Sequence, residues 1–194
     1  MNKIKIYDIT ICAIATALVC VFTAFVNIKL PIGGEGGLIH LGNIPLFLFA
    51  ILCGKKVGMI AGGIGMALFD LLSGWAIWSP FTLIIVGAMG FVVGLFGHKR
   101  LTYLNVTIGI ILAIIIKVVG YYFAELIIYS NLITPFASVL GNVIQVSFAG
   151  IVTLVVFKPL SVATKKFRRD TNINEEELIL EENITDNDTV AEAI

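Results

Sequence analysis

An all-α, polytopic membrane protein is the fold class this sequence predicts, and three observations predict it. Hydrophobic residues make up 58% of the 194-residue chain and its mean hydropathy is +1.00, whereas a soluble domain is roughly 45–50% apolar. Several apolar runs approach or exceed the roughly 18–20 residues that cross a bilayer as a helix. The basic residues also fall into alternate connecting segments, as they do when one set of loops faces the cytoplasm.

Six spans follow in order. The first covers about Ile6 to Val26. Lys3 and Lys5 before it resemble the start of a signal peptide, but the further spans favour a retained helix. Next comes the loop Asn27 to Asn43, with glycines at 33, 34, 36, 37 and 42 and one proline, Pro31. Span two, about Ile44 to Cys53, is short unless it begins earlier, near Leu38. Gly54-Lys55-Lys56 ends it, and span three runs about Val57 to Leu72. The link from Ser73 to Pro80 holds both tryptophans, Trp75 and Trp78. Span four is about Phe81 to Phe96, span five about Leu104 to Tyr129 and span six about Phe136 to Phe157, with a turn from Ser130 to Pro135 before the last.

Charge sets the orientation and the domain division. With the N-terminus inside, 11 of the 13 Lys and Arg residues lie in cytoplasmic segments, the exceptions being Lys29 and Lys117. Both termini are thus expected to be cytoplasmic. All 13 basic residues precede Asp170, against four acids there (Asp8, Glu35, Asp70 and Glu125), a net +9. We therefore expect a six-helix transmembrane binding domain over 1–169 and an acidic, disordered cytoplasmic tail over 170–194.

The polar residues inside the spans carry the functional signal. Lys117, Tyr121 and Glu125 are spaced i, i+4, i+8, which puts them on one helical face. A lysine near the middle of a span costs about 2.5–3.5 kcal/mol on insertion scales, so it faces a bundle interior or a wet cavity. Lys117 and Glu125 lie about 12 Å apart along the axis at 1.5 Å per residue, too far to pair directly. A structural ion pair, such as Lys117 with Asp70, competes with ligand contact as the reading. Ser138, Asn142 and Gln145 form a second one-face stripe in span six; their groups suit either a neutral heterocycle or interhelical hydrogen bonds. Together the two stripes favour a pocket on the outer side. His40 and Asn43, at the end of a loop that could act as a lid, are further candidates for ligand contact. Trp75 and Trp78 either anchor the interface or stack on a flat ligand.

Ala13, Ala17, Cys20 and Ala24 form a small-residue stripe on span one, for tight internal packing or for docking another membrane subunit. The glycines of span three, at 58, 62, 63 and 65, read as close internal packing. Cys12, Cys20 and Cys53 are isolated, with no metal-binding spacing. No Walker A sequence, H-E-x-x-H or nucleophile elbow is present. The expectation is a protein that is not an enzyme, with no cofactor, no metal and no nucleic-acid partner.

Three runs carry a family resemblance: Gly36-Gly-Leu-Ile-His-Leu-Gly-Asn43, Gly62-Gly-Ile-Gly-Met-Ala-Leu-Phe-Asp-Leu-Leu-Ser-Gly-Trp75, and Trp78-Ser-Pro-Phe-Thr82. They resemble the substrate-binding S components of energy-coupling factor (ECF) transporters, in the riboflavin-type branch near the hydroxymethylpyrimidine and pyridoxine S components. The resemblance covers about residues 6–160. It implies a multi-pass subunit of a prokaryotic plasma membrane that captures a water-soluble vitamin from outside, enclosed by the first outer loop and the outer halves of spans four to six. It also implies a partner module of one transmembrane subunit and two ATPases, docked through an A-x-x-x-A pattern that Ala13-Ile-Ala-Thr-Ala17 matches. The absence of any His before His40 disfavours the nickel- and cobalt-binding branch. The set His40, Asn43, Trp75, Trp78, Lys117, Tyr121, Glu125, Asn142 and Gln145 is thereby expected to bind a flavin, pyrimidine or pyridine vitamin. The rival reading is a stand-alone ion-coupled secondary transporter, with Lys117 and Glu125 as its coupling site.

Overall fold

Each run of apolar residues that cannot leave its backbone groups unpaired in lipid must close its hydrogen bonds within itself, and a helix does so. The computed structural model describes residues 6–25, 27–29 and 38–164 and contains six helices. They are α1 (Ile6–Phe25), α2 (Asn43–Cys53), α3 (Lys55–Leu72), α4 (Ser79–Gly97), α5 (Tyr103–Tyr129) and α6 (Phe136–Ala163). Four are long and apolar enough to cross a membrane: α1 from Asp8, α4, α5 and α6. At 1.5 Å per residue the 11 residues of α2 extend about 16 Å, roughly half a hydrocarbon core. Three charged residues, Lys55, Lys56 and Asp70, sit at the two ends of α3.

The expectation of an all-α chain needs one addition. Asn27–Lys29 (β1) and Leu38–His40 (β2) form a two-stranded antiparallel hairpin, with Asn27 opposite His40 and Lys29 opposite Leu38. The earlier start considered for span two, near Leu38, is therefore corrected: that stretch is strand, and the helix begins at Asn43. A loop entering the protein must pair its N–H and C=O groups, and strand pairing achieves this where glycines disfavour a helix. The sixth helix also runs past its expected end at Phe157, through Pro159 to Ala163; proline there removes one N–H without ending the helix. The glycine-rich segment 30–37, the basic residues 165–169 and the acidic tail from Asp170 lie outside the described residues.

The chain divides into Met1–Phe157 and Lys158–Ile194. The core of the first unit is built from α1 through α6 around Leu46, Phe47, Val86, Met89, Val106 and Val146, all fully buried. Close approach of α2, α3 and α4 depends on glycine. A Cβ on Gly58 would lie 2.6 Å from both the Ala50 Cβ and the Gly90 carbonyl oxygen, and one on Gly62 would lie 2.6 Å from Leu46 Cδ1. Gly65 does the same against α1, where a Cβ would come 2.8 Å from the Thr16 carbonyl. The second unit is described from Lys158 to Thr164, as the helical end of α6 and one turn residue.

Candidate functional site

Three local devices bring residues from distant parts of the chain to one end of the first unit. At the end of α1, the Asn27 amide donates to the carbonyls of Ala24 (2.6 Å) and Thr23 (3.2 Å), satisfying helix-end acceptors and starting β1. The hairpin then returns the chain to His40, whose Nδ1 accepts the Gly42 N–H at 3.3 Å. Gly42 has no room for a side chain: a Cβ would collide with Thr23 Oγ1 and lie 3.1 Å from Met66 Cε.

The second device is the link between α3 and α4. The Trp75 N–H donates to the Asp70 carbonyl at 2.9 Å across Gly74, which has φ +89°, a left-handed conformation that glycine adopts at little cost. Ser79 Oγ donates to the Ala67 carbonyl at 3.0 Å, fixing the start of α4 to α3. The third device is the α5–α6 turn. Ser130 takes φ 49° at the end of α5, and Asn131 Oδ1 accepts the N–H groups of Ile133 (2.7 Å) and Thr134 (3.3 Å). This places Ser138 and Asn142 of α6 beside the end of α5.

Between these elements lies a cavity. His40, Trp75, Trp78, Tyr121, Glu125 and Asn142, all expected from the sequence, stand on its wall. So do Thr23, Met66, Phe69, Asp70, Thr82 and Ser138. Trp78 is the aromatic hub: its ring centroid lies 6.2 Å from that of Tyr121 and 6.1 Å from that of Tyr129. The Tyr121 hydroxyl is 3.0 Å from Thr82 Oγ1, which ties α5 to α4.

Three expected contact residues sit behind that wall. Lys117 is 2% exposed, and its Nζ donates to Gln145 Oε1 at 2.8 Å. Gln145 Nε2 in turn donates to the His40 carbonyl at 3.0 Å. The ion-pair alternative of Lys117 with Asp70 is thus replaced by an amide partner, because Gln145 on α6 lies at the depth of Lys117. The two charges still act on each other electrostatically. The ammonium also lies 5.6 Å from the Tyr121 ring centroid, within cation–π range. Asn43 is fully buried, with both amide atoms unpartnered.

His40 is held neutral. Burial first, and then the Lys117 charge, lower its imidazole well below the usual value near 6.5; a neutral ring is also what lets Nδ1 accept from Gly42. Among the described residues, no group of three or more His, Cys, Asp and Glu side chains converges to hold a metal.

Sequence reasoning missed Thr23, Met66, Phe69, Asp70 and Thr82 as wall residues. No signal marked Thr23, since an isolated threonine in a span ordinarily bonds its own helix, as Thr23 Oγ1 does to the Val19 carbonyl at 2.7 Å; Thr82 closes one of the family-resembling runs but was assigned no contact. On another face of α1, Ala13 and Ala17 are exposed. With Ile9, Cys12, Ile60 and Leu68 they line a shallow apolar groove.

Residues 3–162 match the family described as ECF-type riboflavin transporter, S component. The thiamine precursor transporter HmpT of Lactococcus lactis subsp. cremoris is 30% identical over 160 residues, 82% of this chain and 90% of that protein. An uncharacterized protein of Pyrococcus woesei is 36% identical over 102 residues, 53% of this chain and 68% of that one. A solved S component of a bacterial ECF transporter superposes with a TM-score of 0.66 at 19% identity, covering 81% of this chain and 96% of that one. That likeness is one of fold.

Proposed function

The chain belongs to the family of ECF-type riboflavin transporter S components, integral membrane subunits of transporters and not enzymes; from that premise we propose that it captures a one-ring vitamin precursor of the pyrimidine type. The observation that carries this reading is the cavity, lined by Trp75, Trp78 and Tyr121 together with hydrogen-bonding groups. Aromatic rings stack on a flat heterocycle while a few placed polar groups select it. The similarity to a thiamine precursor transporter points the same way.

The wider arrangement belongs to the same proposal. All six helices cross the plasma membrane of a prokaryote, with both chain termini cytoplasmic and the cavity opening outward. The β1–β2 hairpin, whose His40 is buried, leads into the outer end of the short α2. Lys117 and Gln145 hold the site together from behind, and Asn43 supports the base of the loop. Uptake is driven by a separate transmembrane subunit and two ATPases. The exposed Ala13 and Ala17 form the docking face for that module, since small residues let helices approach closely.

The test is a titration of the purified protein with hydroxymethylpyrimidine, pyridoxine and riboflavin, followed by tryptophan fluorescence, with mass spectrometry of any ligand released on denaturation. The pyrimidine is expected to bind most tightly and to quench emission. Tightest binding of riboflavin would overturn the pyrimidine assignment; binding of none would overturn the capture function. Ala17→Leu is expected to change stability by less than about 0.5 kcal/mol, as for other surface changes, and to abolish uptake in cells while leaving ligand binding intact. Undiminished uptake would exclude that face as the docking site.

A further inference from the structure

Asp70 brings to the cavity wall a buried carboxylate oxygen without a hydrogen-bond partner. It sits in the last turn of α3, where its backbone carbonyl already accepts the Trp75 N–H. Its side chain lines the cavity. Thr82 lies within hydrogen-bonding reach of the carboxylate and also holds the Tyr121 hydroxyl at 3.0 Å. If Thr82 donates its single proton to Asp70, Tyr121 must donate to Thr82, and the chain Tyr121–Thr82–Asp70 has one direction. The other carboxylate oxygen, Oδ2, is buried with no hydrogen-bond partner. A buried acceptor left without a donor costs free energy comparable to a lost hydrogen bond, more for a charged group.

The neighbouring groups do not fill that vacancy. The Lys117 ammonium donates to Gln145 Oε1 at 2.8 Å and makes no hydrogen bond to Asp70 Oδ2. No lysine or arginine lines the cavity among the described residues. The other wall carboxylate, Glu125, has Ser138 beside it. Trp75, Trp78 and Tyr121 line the same cavity, with the Trp78 and Tyr121 ring centroids 6.2 Å apart. A flat ligand stacked there presents its edge to a carboxylate that needs an N–H donor.

We propose that Asp70 is a specificity-determining residue of this cavity, its Oδ2 accepting a hydrogen bond from the exocyclic amino group of an amino-substituted nitrogen heterocycle. The proposal rests on the vitamin-capture reading above and narrows it, because it selects ligands by an amino edge and against the same ring bearing a carbonyl there. A carbonyl oxygen facing the carboxylate would set two acceptors against each other, and a site built around a hydrogen bond rejects strongly the analogue that lacks it.

The experiment compares 4-amino-5-hydroxymethyl-2-methylpyrimidine with its 4-oxo analogue by calorimetry on the purified protein and on Asp70→Asn. The unmodified protein is expected to prefer the amino compound by about 100-fold or more. Asp70→Asn is expected to weaken the amino compound by about 10- to 100-fold and to narrow or reverse the preference, because the asparagine amide can donate to the carbonyl. Equal affinity of the unmodified protein for the two compounds would overturn the inference, whether or not the variant folds. So would an Asp70→Asn protein that keeps the full preference. Tight binding of riboflavin or pyridoxine with no binding of either pyrimidine would overturn the inference and leave vitamin capture standing. No binding of any vitamin would remove both.

Discussion

Two regions of this molecule are held together by opposite means. Where α2, α3 and α4 meet, the contact is backbone on backbone: Gly58 faces Ala50 and Gly90, and Gly62 faces Leu46 and the Val86 carbonyl. Where β2, α5 and α6 meet, a line of polar atoms makes the contact, from Lys117 through Gln145 to the His40 carbonyl. In lipid there is no water to expel from between helices, so close packing and interhelical hydrogen bonds are the available sources of association. The glycine region uses the first and the cavity region the second. Packing without polar atoms has one good arrangement. A polar connection can exchange partners, which suits the part of the protein that must admit a ligand.

The sharpest way to break the glycine region is Gly90→Leu. A side chain there collides with the Gly58 backbone, which no rotamer avoids. The expected loss is upward of about 4 kcal/mol, in the exceptional class for a point change, seen as the absence of a monodisperse peak after detergent extraction. A well-folded Gly90→Leu protein would show that α3 and α4 are not held at this distance.

In the polar region the largest effect is expected from Gln145→Leu, which strands the buried Lys117 ammonium and the His40 carbonyl together. Its cost is about 3 kcal/mol. The double variant Lys117→Met/Gln145→Leu is expected to regain the part of that loss that comes from the stranded ammonium, because removing both partners of a buried polar pair is far milder than removing one, while the His40 carbonyl still lacks the Gln145 amide. Thermal unfolding in detergent reads both. Equal melting temperatures for the single and double variants would mean that the two residues do not act as a pair.

A pH titration separates the regions without mutation. His40 has its imidazole pushed well below its usual value near 6.5 in the folded protein. The unfolded chain therefore binds the additional proton below about pH 6.5, and the His40 contribution to stability falls as pH falls. The expected loss between pH 6.5 and 5.5 is about 1 kcal/mol from this group. His40→Gln should flatten that part of the profile, whereas Gly-region variants should keep it. A profile unchanged by His40→Gln would remove His40 as its cause. Thr82→Val loses the bond to Tyr121 at 3.0 Å and the hydrogen bond to the Asp70 carboxylate, together for about 2 kcal/mol, less than the loss from Gln145→Leu, and its unfolding temperature should drop accordingly.

The helices were largely legible, because the signal for them is local. The apolar runs beginning at Ile6, Phe136 and near Leu104 start within a residue or two of α1, α6 and α5. The β1–β2 hairpin was not legible: Asn27–Lys29 and Leu38–His40 are three residues each, too short for any alternation to register. The cavity was legible in part. His40, Trp75, Trp78, Tyr121, Glu125 and Asn142 all stand on its wall, while Lys117 and Gln145 bond each other behind it. Thr82 escaped notice because its importance lies in Tyr121, 39 positions away.

By itself, then, the sequence determined the apolar helices and the one-face spacing of Lys117, Tyr121 and Glu125, since helical periodicity acts over a few residues. Only the tertiary structure decided which partner each polar group took: Gln145 for Lys117, Thr82 for Tyr121, and no partner for Asp70 Oδ2. Those choices depend on the depth and rotation of one helix against another, and the packing of glycines on their neighbours sets both.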